Sequence, residues 1–156
     1  MNQLVQDLRG CARYVREHGY LADDQGVDGG NRCALGVIAS VCGTGPYGKF
    51  LYSDSNLYGD NSRQVAVVEA MVKQPALAML TEYTNALTAA HGIPLSRPIP
   101  DNDPAVRVAA WNNTYRGKKG ATEAVAEMFD HCADCELARL HVAAAVASPL
   151  PDLVGV

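Results

Sequence analysis

The segment from Ala121 to Ala147 repeats apolar residues at helical spacing, and Pro149 and Pro151 close it. Val125, Met128, Phe129, Cys132, Leu137, Leu140 and Ala144 share one stripe. Such a stripe predicts a single long amphipathic helix over about 121–147, which other helices must cover. Proline cannot continue a helix, so the end falls near residue 148. Whatever else the chain does, it has to build a helical layer against this element.

The remaining segments supply that layer. Leu4, Leu8, Cys11, Ala12 and Val15 form a first stripe, with Asn2 placed to cap it and Gly19 to end it. Arg9, Arg13 and Arg16 fall off the stripe, and Gly10 sits on its polar side. A second stripe runs through Cys33, Ala34, Val37, Ile38 and Val41, with Asn31 as the expected N-cap and Gly43 as the stop. A third helix is expected from Asn61 or Ser62 to Lys73. Pro75 suits the first position of a fourth, where its missing N–H is no loss. Leu77, Leu80, Thr84, Leu87 and His91 share a face of it, and Gly92 ends it. The prolines at 94, 98 and 100 call for extended chain. Asp103-Pro104 starts a short helix that carries Trp111. No strand alternation beyond a few residues occurs, and no internal repeat is evident. The expected fold is all-α: a single compact domain, 1–148, of about five or six helices, with a tail at 149–156 and one long Tyr/Gly-rich loop at 43–61.

Aromatic residues are few, with one Trp and two Phe, so Ala and Val must fill much of the core and the helices must pack closely. The net charge of −4 argues against nucleic acid as a partner, because backbone binding needs a basic face. No stretch reaches the roughly 18–20 apolar residues of a membrane span, and no secretion signal precedes the first helix. A cytoplasmic protein is expected, with its five cysteines mostly reduced. The odd count also argues against a fully paired disulfide framework.

Three short blocks stand out in order: Glu17-His18-Gly19-Tyr20, Cys33-Ala34-Leu35-Gly36 and Trp111-Asn112-Asn113. Together they resemble a group of small actinobacterial and phage proteins catalogued as a domain of unknown function. Members carry Glu-x-Gly-aromatic at the end of a first helix, Cys-Ala-Leu-Gly at a helix start, and Trp-Asn-Asp before a last amphipathic helix. Asn113 stands here where the group has an acidic residue, and Tyr20 where Trp is frequent. The resemblance covers about half of the chain and implies a helical scaffold. It brings no catalytic residue, substrate or cofactor with it.

Five places could carry function. Trp111 and Asn113 form either a core anchor with a helix-end turn or the wall of a ligand pocket. Cys33 opens a helix beside Arg32, the setting that lowers a thiol pKa, but a nucleophile also needs a histidine base within reach. His131, Cys132 and Cys135 have the spacing of half a zinc site, and no matching second pair is visible. Core packing explains Cys132 and Cys135 as well. Arg116, Lys118 and Lys119 lie among glycines before a helix N-terminus, the ingredients of a site for a small anionic ligand, although no P-loop pattern is present. Tyr47, Phe50, Tyr52 and Tyr58 concentrate aromatics in the long loop, as recognition surfaces do. No complete catalytic constellation and no cofactor motif appears. The function expected from these features is contact with a partner protein or with a second copy of the chain, with anion binding at 116–122 and a Cys33 enzyme as alternatives.

Overall fold

In a computed structural model the chain is described over residues 2–22, 26, 29–43, 61–78, 80 and 104–148. Among these residues there are six helices and no strand. They are α1 (Gln3–His18), α2 (Ala34–Cys42), α3 (Ser62–Val72), α4 (Pro75–Ala78), α5 (Pro104–Asn113) and α6 (Ala121–Ala147). The all-α expectation holds, and the bounds of α6 agree with its apolar period.

α1 starts where Asn2 stops being helical. Its side-chain oxygen accepts from the N–H groups of Leu4 (2.9 Å) and Val5 (3.3 Å), satisfying two donors that the helix cannot. Val5, Leu8, Cys11, Ala12 and Val15 then face the core. α1 packs on α2, α3 and, most extensively, α6. Arg9 reaches Asp130 (2.7 Å) and Asp134, whereas Arg16 reaches Glu123 (2.8 Å) and Asp130 (2.7 Å). The pairing order runs opposite in the two helices, so they are antiparallel. The arginines that fell off the apolar stripe are therefore the rail along its edge.

Gly10 does not face solvent. A Cβ there would lie 2.9 Å from Cγ1 of Val41, so its bareness lets α2 cross close to α1. The connection between these helices also needs glycine. Gly26 has φ +68°, and a Cβ on it would meet the Asn31 carbonyl at 2.3 Å.

α2 is buried nearly throughout, through Ala34, Leu35, Gly36, Val37, Ile38, Ala39 and Cys42. Its N-cap is Cys33 rather than Asn31, and Cys33 makes no side-chain cap bond. α5 packs against α2, α3 and α4, and puts Ala105, Val108 and Trp111 into the core. α6 contributes Val125, Ala126, Phe129, Cys132 and Ala133. Ala144, expected to face inward, is exposed, as is every residue from 141 to 148. The cause is length: at about 1.5 Å per residue, 27 residues span roughly 40 Å, while the 16 of α1 cover about 24 Å.

Candidate functional site

The three sequence blocks meet at one side chain. Asn112 is buried, and its Oδ1 accepts from the Ala34 N–H at 2.9 Å, capping α2 from 78 positions away. Its Nδ2 donates to the Leu21 carbonyl at 3.2 Å, and its own carbonyl accepts from the Tyr20 hydroxyl at 2.8 Å. Leu21 in turn donates its N–H to the Arg32 carbonyl at 3.2 Å, in a single bridge between Tyr20 and Arg32. Arg32 is itself buried and donates to Ser40 Oγ. Tyr14 closes the same connection, since its hydroxyl donates to Gly30 O (2.9 Å) and accepts from Gly29 N–H (3.0 Å). The blocks are a clasp that holds α1, α2 and α5 together.

The Trp111 ring is buried and meets Tyr115 edge-on at 5.2 Å between centroids, the placement of a core anchor. Asn113 is the last residue of α5 and is half-buried. Cys33 is buried beneath the clasp. Tyr47, Phe50, Tyr52 and Tyr58 lie outside the described residues.

The basic turn is exposed, and Lys118 sits 5.8 Å from the centre of the Tyr115 ring. Gly120 forms the N-cap of α6. The first turn of α6 already carries Glu123, held by Arg16 well into the ionised state, below the usual carboxylate range. An anion arriving beside Arg116, Lys118 and Lys119 would meet that carboxylate in the position the helix dipole favours.

Two features of α3 and α6 were missed by sequence reasoning. The first is the outward face of α6. His131, Cys135, Ala138, Val142 and Ala145 recur at alternating steps of four and three, and all are exposed. This is the spacing of a heptad seam, along which one helix can lie against another. Val142 is 64% exposed and Val146 82%. His131 Nε2 and Cys135 Sγ lie 3.6 Å apart on this face, whereas Cys132 points inward toward the Ala70 carbonyl at 3.8 Å. Burial pushes the Cys132 thiol up to about 12. The three residues thus do not converge on one point. Among the described residues no group of three or more His, Cys, Asp or Glu is arranged to hold a metal.

The second is a cleft of about 340 Å³ between α3 and the far half of α6. Leu4, Ala66, Ala70 and Cys132 form its apolar lining, Glu69, Lys73, Gln74, Glu136 and Arg139 its polar one, and the exposed Cys135 stands at its edge. Glu136 is held by Arg139 through two bonds of 2.8 and 2.6 Å, which together with nearby Lys73 keep its pKa below the usual range. No family model, curated protein or solved structure matches the chain. The functional reading therefore rests on the surfaces of the chain itself.

A third cluster belongs to the scaffold. The Asp7 carboxylate, almost wholly buried, accepts from Arg63 Nε (3.0 Å) and Nη2 and from Gln3 Nε2 (2.9 Å). Beside it, burial raises the Cys11 thiol and lifts Cys42 to about 12, with the Asp7 charge adding to both. These thiols are inert at neutral pH.

Proposed function

We propose that the chain is a cytoplasmic helical interaction protein, phage-borne or actinobacterial, which acts by pairing its last helix with a second copy of itself. One observation carries the reading: the row of exposed residues at heptad spacing on the solvent side of α6, which includes Val142 and is flanked by the exposed Val146. A single exposed valine is ordinary, but a periodic row that starts alongside the packed body and runs on past its end is not.

Small residues at 138 and 145 would let the second helix approach closely. Asp134 flanks the seam on one side and Arg139 on the other, 66% and 59% exposed. In a parallel pair these opposite charges would face one another across the seam.

Sedimentation equilibrium tests the reading. The wild-type chain is expected to associate in a concentration-dependent way. Val142→Asp with Val146→Asp is expected to be monomeric, with the thermal midpoint that the wild-type chain shows at concentrations where it is itself monomeric, because neither valine supports the body. A wild-type chain that stays strictly monomeric overturns self-association. In that case, recovery of one stoichiometric protein on an immobilised wild-type chain, lost with the double variant, would assign the seam to a foreign partner.

A further inference from the structure

We infer that His131 and Cys135 form one half of a zinc site, which the same two side chains of a second copy complete. The inference rests on the self-association proposed above and adds a metal ion to it.

The geometry of the pair carries the argument. His131 Nε2 and Cys135 Sγ lie 3.6 Å apart on the exposed face of α6. With Zn–N and Zn–S bonds of about 2.0 and 2.3 Å at a tetrahedral angle, two such ligands stand about 3.5 Å apart. The pair therefore already spans one edge of the tetrahedron. It is the two ligand atoms that converge, which neighbouring positions on a helix do not ensure. When the ion binds, the thiol gives its proton to solvent, and the sulfur and the imidazole nitrogen each lend a lone pair to the metal. Among the described residues no third His, Cys, Asp or Glu joins them. One chain thus leaves two tetrahedral positions open, whereas a structural zinc site is closed by four protein ligands.

The seam supplies the missing half. His131 and Cys135 are its first two positions, one four-residue step apart. In a parallel pair in register, each seam residue faces its own copy. Two imidazoles and two thiolates then converge about the twofold axis, a Cys₂His₂ set of the kind that zinc prefers. The two thiolate charges balance the charge of the ion. An antiparallel pair centred on Ala138 would carry the two halves to opposite ends of the seam and close no site. The ion therefore selects orientation and register, a task that a single polar position performs in other helix pairs and that Ala138 and Ala145 are too small to perform.

The test is sedimentation equilibrium of the full chain in EDTA and then with Zn(II), beside a Co(II) titration followed by visible absorption. A phosphine reductant keeps Cys135 from linking two chains as a disulfide. Zn(II) is expected to tighten association at least roughly tenfold over EDTA. Co(II) should give the intense bands of a tetrahedral, thiolate-bound ion, saturating at one ion per two chains. His131→Ala and Cys135→Ser should each lose both responses and keep the thermal midpoint of the wild-type monomer. Association seen only with Zn(II) supports the site. Association in EDTA that Zn(II) leaves unchanged, with no cobalt spectrum, overturns the site and leaves the pairing standing. A chain that is monomeric under both conditions and takes up no Co(II) overturns both. Saturation at one ion per chain, or a spectrum that survives Cys135→Ser, overturns the shared site.

Discussion

Replacing Asn112 by Ala should cost the fold more than any other single polar truncation in the clasp. The side chain makes two bonds, one to the Ala34 N–H and one to the Leu21 carbonyl. The Ala34 bond is buried, and α2 has no side-chain cap of its own to replace it. Stranding a buried backbone group costs about 1–3 kcal/mol. The Leu21 carbonyl is only half-buried and can recover part of its loss from water. The sum is about 2–4 kcal/mol, within the span of a helix-cap loss joined to a lost tertiary bond. For a chain of this size that lowers the thermal midpoint by roughly 4–16 °C. Urea unfolding followed by Trp111 fluorescence reads the same quantity as a shift in midpoint. Asn112→Asp keeps the acceptor at the α2 N-terminus but loses the donor and opposes the Leu21 carbonyl, so it should not restore full stability. A loss below about 0.5 kcal/mol for Asn112→Ala, the level of an ordinary surface change, would refute the clasp.

Three further outcomes are expected. Gln64 is buried with neither carboxamide atom bonded, so Gln64→Met should stabilise the chain by about 1–2 kcal/mol in denaturant titration, and a loss of stability would show that the amide is needed. Burial pulls the Asp130 pKa upward but is outweighed by the Arg9 and Arg16 hydrogen bonds, and Arg16 likewise lowers Glu123. Carboxylates held low stabilise the fold above their unfolded pKa of about 4 and lose that contribution as the pH falls through their folded values. The thermal midpoint should therefore be flat from neutrality to about pH 5 and fall below about 4, and Arg16→Gln should shrink the drop. Among Cys11, Cys42, Cys132 and Cys135, only Cys135 is exposed, so a bulky thiol reagent at neutral pH should modify it quickly and the other three only on unfolding. Fast modification of any of those three would contradict the packing.

The parts legible in the sequence are those decided by local spacing. α6 was readable because its period is uninterrupted and its end is marked by proline. Asn2 was readable as a cap because it bonds its own neighbours. The start of α2 was not, because its capping atom belongs to Asn112, and no local pattern encodes a partner so distant. The pairing of Asp7 with Arg63 was not legible either, because its members stand 56 positions apart. Gly10 looked exposed because helical periodicity gives a face, not the identity of what crosses it. At the candidate sites, the Trp-Asn-Asn block was noticed for the right residues but serves the scaffold. The cleft lay hidden because Glu69, Lys73, Glu136 and Arg139 have the composition of any helix surface. The seam on α6 was obscured by the stronger inward stripe of the same helix. The alternating four-and-three step from His131 to Ala145 was its one available signal.

The most extensive helix contact joins the first helix to the last. During synthesis, α1 leaves the ribosome long before its partner exists. Until α6 emerges, Arg9 and Arg16 have no carboxylates to hold, and Leu8, Cys11 and Val15 have no lid. The closing loop spans most of the chain, so its entropy must be lost before the contact contributes anything. The amino-terminal half alone should thus remain a loose, protease-sensitive intermediate. Completion of the last helix, rather than of any earlier segment, is the event that commits the chain to its native state.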